Sequence, residues 1–397
     1  MNTDSKLFDD IVVAHWGEHV NGGGDRVAWE LSRVFEDAPL YVGWKDESIE
    51  PADISSEQII NGRLNEWALR RGGTTQMLAH MLGWQVARPL RDHSVLVTSG
   101  NEPLFYVPPT EQVWVAYVHH TNRRQSDQID EVGSGKRAYL KLLFYYLVRV
   151  AFDHNTHKPD LFAVNSEQVK RRLVRYWGVP EEKIDVVYPP VDTDAYSSTD
   201  AETGDYYLTL SRLDWHKSVD DIVRAFNGSD AKLVIAGDGP ERNKLEQIAG
   251  ENIEFAGYVD ESEKKGLLAG AEAFIFNGRD EDFGISPVEA LAAGTPLIGV
   301  NEGMTQYQIV DGKNGYTFDR DETGSTIRGA VERFEHNGVD WGHSEIESFA
   351  DRFSVEAFHG GMQKAVKRAI ENADVAPEWH VGLEETANNI DPDDTAE

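Results

Sequence analysis

Short apolar runs alternate with helical patterns along this chain, stop, and then begin again, and this repetition constrains the fold more than any other feature. Ile11-Val12-Val13-Ala14 reads as a buried strand, followed by the glycine turn Asn21-Gly22-Gly23-Gly24. An amphipathic helix then follows from Asp25 to about Phe35, with Val27, Leu31, Val34 and Phe35 apolar at helical spacing. Further strands are expected at 40–42, 94–97, 113–117, 161–164 and 184–187, with helical patterns at 137–152 and 166–176 and Ser166 as the N-cap of the latter. Tyr188-Pro189-Pro190-Val191-Asp192 is held extended by its prolines and suits a connector. The alternation then restarts, with strands at 206–210, 232–236, 253–255, 273–276 and 297–300 between helices at 219–226, 241–249, 262–269 and 285–293. A last helix follows Phe353-Ser354 and runs to about Asn372. Strands alternating with helices imply parallel, doubly wound sheets. The expected fold is therefore α/β, with two Rossmann-like domains facing a cleft and a C-terminal helix returning to the first of them. The expected boundaries are 1–188 for the first domain, 189–352 for the second, 353–372 for the returning helix and 373–397 for a disordered acidic tail.

Composition narrows the function classes. A chain of 397 residues is long enough for two domains. It has no cysteine, which excludes disulfides, thiolate metal sites and a cysteine nucleophile. The N-terminus shows no basic region followed by an apolar core, so no secretory signal is read, and a cytoplasmic protein is expected. The longest apolar stretch, 140–152, is broken by Lys141 and Arg149 and is too short to span a bilayer. It reads as a core helix, with a surface for a lipid-linked acceptor at the inner face of a membrane as the alternative. A net charge of −31 argues against nucleic acid as a partner. It fits adaptation to concentrated salt, where screening shortens the repulsion. The rival reading is an ordinary acidic protein.

The chemistry concentrates in the second round. Glu281 and Glu289 stand eight positions apart around a Phe283-Gly284 turn, after the strand Ala273-Phe274-Ile275-Phe276 and into the helix that starts near Ile285. A strand, a glycine turn and a helix start gather unpaired backbone N–H groups at one point, which suits a phosphate. Glu289 falls about one turn into the helix, where a carboxylate can accept from paired sugar hydroxyls. Glu281 sits at the carboxyl end of the strand, where open α/β sheets bind ligands. Arg212 ends the first strand of this round and Lys217 follows five residues later. Cations at that place can hold the charge that develops on a departing diphosphate. Alone, both would read as solvated loop cations. Gly237-Asp238-Gly239-Pro240 follows a strand and reads as a tight structural turn with Pro240 at the first helical position.

These frames, Ser-Arg-Leu-Asp-Trp-His-Lys-Ser and Glu-Asp-Phe-Gly-Ile-Ser-Pro-Val-Glu-Ala, resemble the donor site of retaining glycosyltransferase family 4. Asn21-Gly22-Gly23-Gly24-Asp25-Arg26-Val27 is similar to the family's glycine loop, and Tyr117-Val118-His119-His120-Thr121-Asn122-Arg123 to its Tyr-x-His-Thr-Pro-x-Arg segment. The resemblance covers roughly residues 11 to 370 and is closest in motif to the mannosyltransferases. It implies the GT-B fold, with residues 1–188 binding the acceptor and 189–352 the nucleotide sugar, and places Arg212 and Lys217 on the donor diphosphate, Glu281 on the transferred sugar and Glu289 on the ribose. Backbone N–H groups of Phe283, Gly284, Ile285 and Ser286 complete the anion site. Gly23 and Gly24 let backbone approach the phosphates or the acceptor, and His119 lies near the reacting face of the sugar. Val259 and Glu261 border the base, where Glu261 would accept the two N–H groups of guanine. His120 and Thr121 replace the family's Thr-Pro, so His119 and His120 both remain candidates, with the alignment on Arg123 favouring His119.

The implied reaction is metal-independent transfer of a hexose, with retention, from a nucleotide-diphosphate sugar to a hydroxyl of a glycan or lipid-linked acceptor. GDP-mannose is the expected donor and UDP-sugars come next; the nucleotide sugar is a substrate, and no cofactor is expected. A glycosidase with paired carboxylates is rejected, because it needs neither the Arg-Lys grip nor the glycine-rich helix starts. A nucleotide-sugar epimerase of the same fold and a non-catalytic sugar-nucleotide binding module are the remaining rivals. Acceptor contacts are sought in loops around residues 15–24, 61–76 and 100–110, with Trp16, Trp67, Arg70 and Arg71 as candidates.

Overall fold

A computed structural model describes residues 10–18, 22–36, 38–46, 49, 51–71, 73–121, 142, 143, 146, 158–197 and 204–373. The chain divides into two compact units, one of residues 1–187 and 359–397, the other Tyr188–Phe358.

The first unit is built on a parallel sheet of β1 (Ile11–His15), β2 (Leu40–Val42), β3 (Ser56–Gln58), β4 (Val95–Ser99), β5 (Val113–Val118), β6 (Leu161–Val164) and β7 (Ile184–Val186). Their spatial order is β3-β2-β1-β4-β5-β6-β7, with every neighbouring pair parallel. β1, β4, β5 and β6 are buried along their whole length. A parallel strand covered on both faces needs apolar side chains on both, which is why these read as continuous runs. The order reverses between β1 and β4, so their carboxyl ends border a crevice at a topological switch point. Ser166 accepts from the Val169 N–H and caps the helix Glu167–Arg172, which widens into a π turn over Leu173–Trp177 and stops at left-handed Gly178. The last helix, Val355–Asn372, belongs to this unit from His359 on. Its Met362, Ala365, Val366 and Ala369 are buried, while His359 bonds Glu30 at 2.8 Å and Arg368 pairs with Asp185.

The second unit holds β8 (Tyr206–Leu210), β9 (Lys232–Ala236), β10 (Ile253–Gly257), β11 (Ala273–Phe276), β12 (Leu297–Val300) and β13 (Gly315–Phe318). They lie parallel in the order β10-β9-β8-β11-β12-β13. Alternate side chains feed two apolar layers: Leu208, Phe274 and Leu297 on one face, Tyr207, Leu233, Ile275 and Ile298 on the other. The switch point here falls between β8 and β11.

The structure corrects several expectations of detail. Ser56–Gln58 and Gly315–Phe318 are strands, and Arg63–Arg71, Gly73–Gln85, Ser325–Asn337 and His343–Ala350 are helices that periodicity did not mark. The helix after Gly237 starts at Arg242 with Glu241 at its cap, so Pro240 precedes it instead of opening it. Glu261 is the first residue of the helix Glu261–Ala269 instead of a loop residue, because Asp260 takes the cap and accepts from the Glu263 N–H. Gly237 has φ +123, and a Cβ there would lie 1.9 Å from the Ser211 carbonyl oxygen. Backbone packing against Ser211, just past the end of β8, accounts for that glycine. Asn122, Arg123, most of the 137–152 stretch and the tail from residue 374 lie outside the described residues.

Candidate functional site

In the second unit, β8 ends at Leu210 and delivers Arg212 into the loop that turns back through Trp215–Lys217. β11 ends at Phe276 and delivers Glu281. Lys217 Nζ donates to Glu281 Oε2 at 2.6 Å and stands 5.5 Å above the Phe276 ring. Two segments 64 residues apart in sequence therefore bring a cation and a carboxylate to the switch point of the sheet. Both partners are about a quarter exposed. A pair in that setting contributes on the order of 0.2–1 kcal/mol, too little for fold stability to be what requires it. Arg212 is exposed, and its guanidinium makes no hydrogen bond or ion pair among the described residues. Ser211 Oγ, Ser218 Oγ and Arg279 Nε, on the same two loops, are buried atoms without a hydrogen-bond partner among the described residues.

Gly284, at φ +79, is the N-cap of the helix Ile285–Ala292, in a left-handed turn that a side chain would strain. Gln308 Nε2 donates to the Phe283 and Gly284 carbonyls at 2.7 and 3.1 Å and fixes the turn from behind. The Phe283 ring packs inward, 5.7 Å from Phe353 and 6.1 Å from Tyr188, so only its backbone is available to a ligand. Ile285 and Ser286 are half-buried at the helix start. Glu289, one turn on, is 4 % exposed. Its Oε1 accepts from Tyr196 Oη and from Lys264 Nζ, each at 2.8 Å. Lys264 also pairs with Glu261 at 3.1 Å and lies 5.5 Å from the Tyr196 ring centroid. The second carboxylate oxygen of Glu289 has no hydrogen-bond partner among the described residues. Val259 is half-buried against the same apolar layer, and Glu261 is exposed.

The first unit gathers a second polar cluster at its own switch point. His15 closes β1, Ser99 closes β4 and His119 follows β5. His15 Nδ1 meets the Ser99 carbonyl at 3.1 Å, and its Nε2 faces Asp25 Oδ1 at 3.4 Å. The other Asp25 oxygen accepts from the Gly22 N–H at 3.3 Å, which ties the glycine turn to β1. Ser99 Oγ lies 2.8 Å from His119 Nε2. The backbones of the two candidate histidines are clamped: Asn165 donates to the His119 carbonyl at 2.7 Å, and Asn101 to that of His120 at 3.0 Å. His119 is half-buried and His120 exposed. Burial, reinforced by His15 and His120, holds the His119 ring well below its ordinary value, at about 3, so it is neutral at physiological pH. A Cβ at Gly24 would sit 3.9 Å from His15 and Trp16, an ordinary contact. Packing within this unit therefore does not demand glycine at position 24. Of the proposed acceptor contacts, Trp67 is 55 % exposed with Arg71 stacked 5.2 Å above its ring.

Sequence reasoning did not single out His15, Ser99, Tyr196 or Lys264. The only cue was local, since Lys264 stands three residues after Glu261 on a helix. Tyr196 meets Glu289 across 93 residues, and Ser99 meets His119 across 20, which only the sheet order reveals.

Two Rossmann-like parallel sheets with charged side chains at the switch points define a GT-B architecture. A family model of glycosyl transferases group 1 matches residues 192–346, and one of glycosyltransferase family 4 matches residues 85–195. The chain belongs to glycosyltransferase family 4. A GDP-mannose-dependent alpha-(1-6)-phosphatidylinositol dimannoside mannosyltransferase of Mycobacterium tuberculosis is 41 % identical over 90 residues, 22 % of this chain and 23 % of that protein. An uncharacterized glycosyltransferase of Methanocaldococcus jannaschii is 28 % identical over 173 residues, 38 % of this chain and 44 % of the relative. In both, the matched stretch is less than half of the relative's length. Among solved structures, Anabaena HepE in complex with UDP superposes with a TM-score of 0.67 at 15 % identity, covering 90 % of this chain and all of that one. At that identity the likeness concerns the fold. Among the described residues no helix is long and apolar enough to cross a membrane.

Proposed function

We propose that this glycosyltransferase moves a hexose, with retention and without a metal, from a nucleotide-diphosphate sugar to a hydroxyl of a glycan or lipid-linked acceptor. The observation that carries the reading is the Lys217–Glu281 pair at the switch point of β8 and β11, with Arg212 unengaged beside it. Arg212 and Lys217 bind the donor diphosphate, and their charge stabilises it as the sugar leaves. Lys217 is already oriented by Glu281, which in turn faces the hydroxyls of the transferred sugar. The N–H groups at the start of the helix Ile285–Ala292 add to the anion site. Glu289 takes the ribose through its remaining oxygen, since Tyr196 and Lys264 occupy the other. His119, neutral, serves the transfer step as a hydrogen-bonding group and not as an acid.

Mannose from GDP-mannose is the donor of choice. It is supported by the Glu-Asp-Phe-Gly-Ile frame and by the mannosyltransferase that shares 41 % identity over 90 residues. A UDP-sugar is the second choice, favoured by the solved relative that carries UDP. The protein is incubated with GDP-mannose, UDP-glucose, UDP-galactose and UDP-N-acetylglucosamine, with and without candidate acceptors, while free nucleotide is followed. Slow release from one donor, accelerated by an acceptor and giving an α-linked product by NMR, is the expected result. An epimerised sugar nucleotide without release overturns it in favour of an epimerase, and binding without turnover in favour of a binding module.

A further inference from the structure

The Ser99 hydroxyl is fully buried, and its one hydrogen-bond partner among the described residues is His119 Nε2 at 2.8 Å. A hydroxyl carries one hydrogen and two lone pairs, and a buried O–H that fails to donate is costly, by about 1–3 kcal/mol. Were Nε2 protonated, it would donate to Ser99 and the buried hydroxyl hydrogen would be left without an acceptor. The arrangement is satisfied when Ser99 donates and Nε2 accepts. A neutral imidazole that accepts at Nε2 carries its hydrogen on Nδ1. Nδ1 has no hydrogen-bond partner among the described residues.

We propose that Ser99 is a positioning residue that fixes His119 as the Nδ1–H tautomer and so presents a neutral N–H donor to an oxygen of the bound substrate. The device extends one step further back. The Ser99 carbonyl can only accept, so His15 donates to it from Nδ1, and the Asp25 carboxylate that faces the far side of the His15 ring also holds the Gly22 N–H. β1, β4 and the glycine turn thus fix the backbone from which the Ser99 hydroxyl is aimed. The tautomer follows from the hydrogen-bond geometry alone. Its use in catalysis rests on the proposed transferase reaction.

The test is made on the full chain labelled with 15N-histidine, using long-range 1H–15N spectra at pH 7.5, with His119 assigned by its loss in His119→Gln. The expected result is an Nδ1–H tautomer for His119 in the wild type and a mixed or Nε2–H population in Ser99→Ala. With whichever of the four sugar nucleotides assayed above releases nucleotide, Ser99→Ala is expected to lower kcat about tenfold with donor KM within twofold. Ser99→Thr, which keeps the hydroxyl, is expected to restore both the tautomer and kcat. An Nε2–H tautomer in the wild type overturns the proposal. So does Ser99→Ala with unchanged kcat, or with reduced kcat and an unchanged tautomer. The wild-type spectrum and Ser99→Thr remain decisive if Ser99→Ala does not fold. If none of the four sugar nucleotides turns over, the transferase reading fails while the spectrum still decides the tautomer.

Discussion

Glu281 and Glu289 look alike in the sequence and are held in opposite ways. Glu281 is about a quarter exposed and meets one cation, whereas Glu289 is nearly buried with two donors on one oxygen. Glu281→Ala should therefore leave the fold intact and mainly cut turnover. Glu289→Ala takes from the Lys264 ammonium its buried carboxylate and leaves it only the exposed Glu261, so the cost should fall short of the ~3–5 kcal/mol of a fully broken buried pair. Glu289→Gln is the cleaner variant, keeping an acceptor for Tyr196. It should raise the Kd for nucleotide with kcat little changed, as read by titration calorimetry beside steady-state kinetics. Equal effects of Glu281→Ala and Glu289→Gln on binding alone would undo this division of roles. Arg212→Ala makes the opposite contrast. An exposed side chain with no described partner should cost less than about 0.5 kcal/mol of stability, yet the variant should lose donor affinity. His119 adds a pH prediction. Its folded value of about 3 lies below the ordinary 6.5, so the unfolded chain takes up a proton first as pH falls. The stability that neutral His119 contributes is fully present above pH 6.5 and is lost as pH drops through 6.5 toward 3. His119→Gln should flatten the acid limb of urea stability by less than about 1.4 kcal/mol per pH unit. It should also leave the kcat profile without a lost limb near 6.5, since the ring does not titrate there.

At the scale of elements, the strands most visible in the sequence were those buried on both faces. Val113-Trp114-Val115-Ala116-Tyr117 has nothing polar to confuse its pattern and is a central strand of the first sheet. Ser56-Glu57-Gln58 is an edge strand with one neighbour and no apolar run, and only its pairing with β2 makes it a strand. The helix Gly73–Gln85 escaped notice because its apolar residues do not keep to one side: Ala79, Gly83 and Trp84 are buried while Leu78 and Leu82 are exposed. The donor motif was legible because a strand, a glycine turn and a helix lie consecutively in sequence. The His15–Ser99–His119 chain was not, because it joins the ends of three strands. A cap supplies the prediction here. Asp321 accepts from the Gly324 and Thr326 N–H groups and from the hydroxyl of Ser325, just before the helix Ser325–Asn337. The Ser325 hydroxyl foremost, then these N–H groups, hold its carboxyl down to about 2. Asp321→Ala should cost about 1 kcal/mol, the ordinary value of such a cap, read as a lower urea midpoint. The cap's contribution is present above the unfolded value near 4 and is lost as pH falls through about 2, so wild type and variant should converge at strongly acid pH.

Over the whole molecule, acidic residues outnumber basic ones by 69 to 38, and the surface must tolerate the resulting self-repulsion. Ion pairs relieve part of it. Arg33 reaches Asp53 at 2.8 Å, Lys313 reaches Asp340 at 2.6 Å and Arg320 grips Glu302 at 3.0 Å. Even with every Lys and Arg matched to one carboxylate, a formal net charge of −31 remains, and those carboxylates face one another. Salt acts on both terms in opposite senses. It weakens exposed pairs worth about 0.2–1 kcal/mol each, and it screens the unpaired repulsion as the Debye length falls from about 10 Å at 0.1 M to about 3 Å at 1 M. With this excess of one sign, repulsive separations outnumber attractive ones and extend beyond contact distance, where screening acts most. Stability should therefore rise with salt. The urea midpoint in 2 M KCl is expected above that in 0.1 M KCl, with KCl chosen over sulfate so that burial of apolar surface is not strengthened at the same time. A midpoint that is equal or higher in 0.1 M KCl would overturn the salt-adaptation reading and leave an ordinary acidic protein.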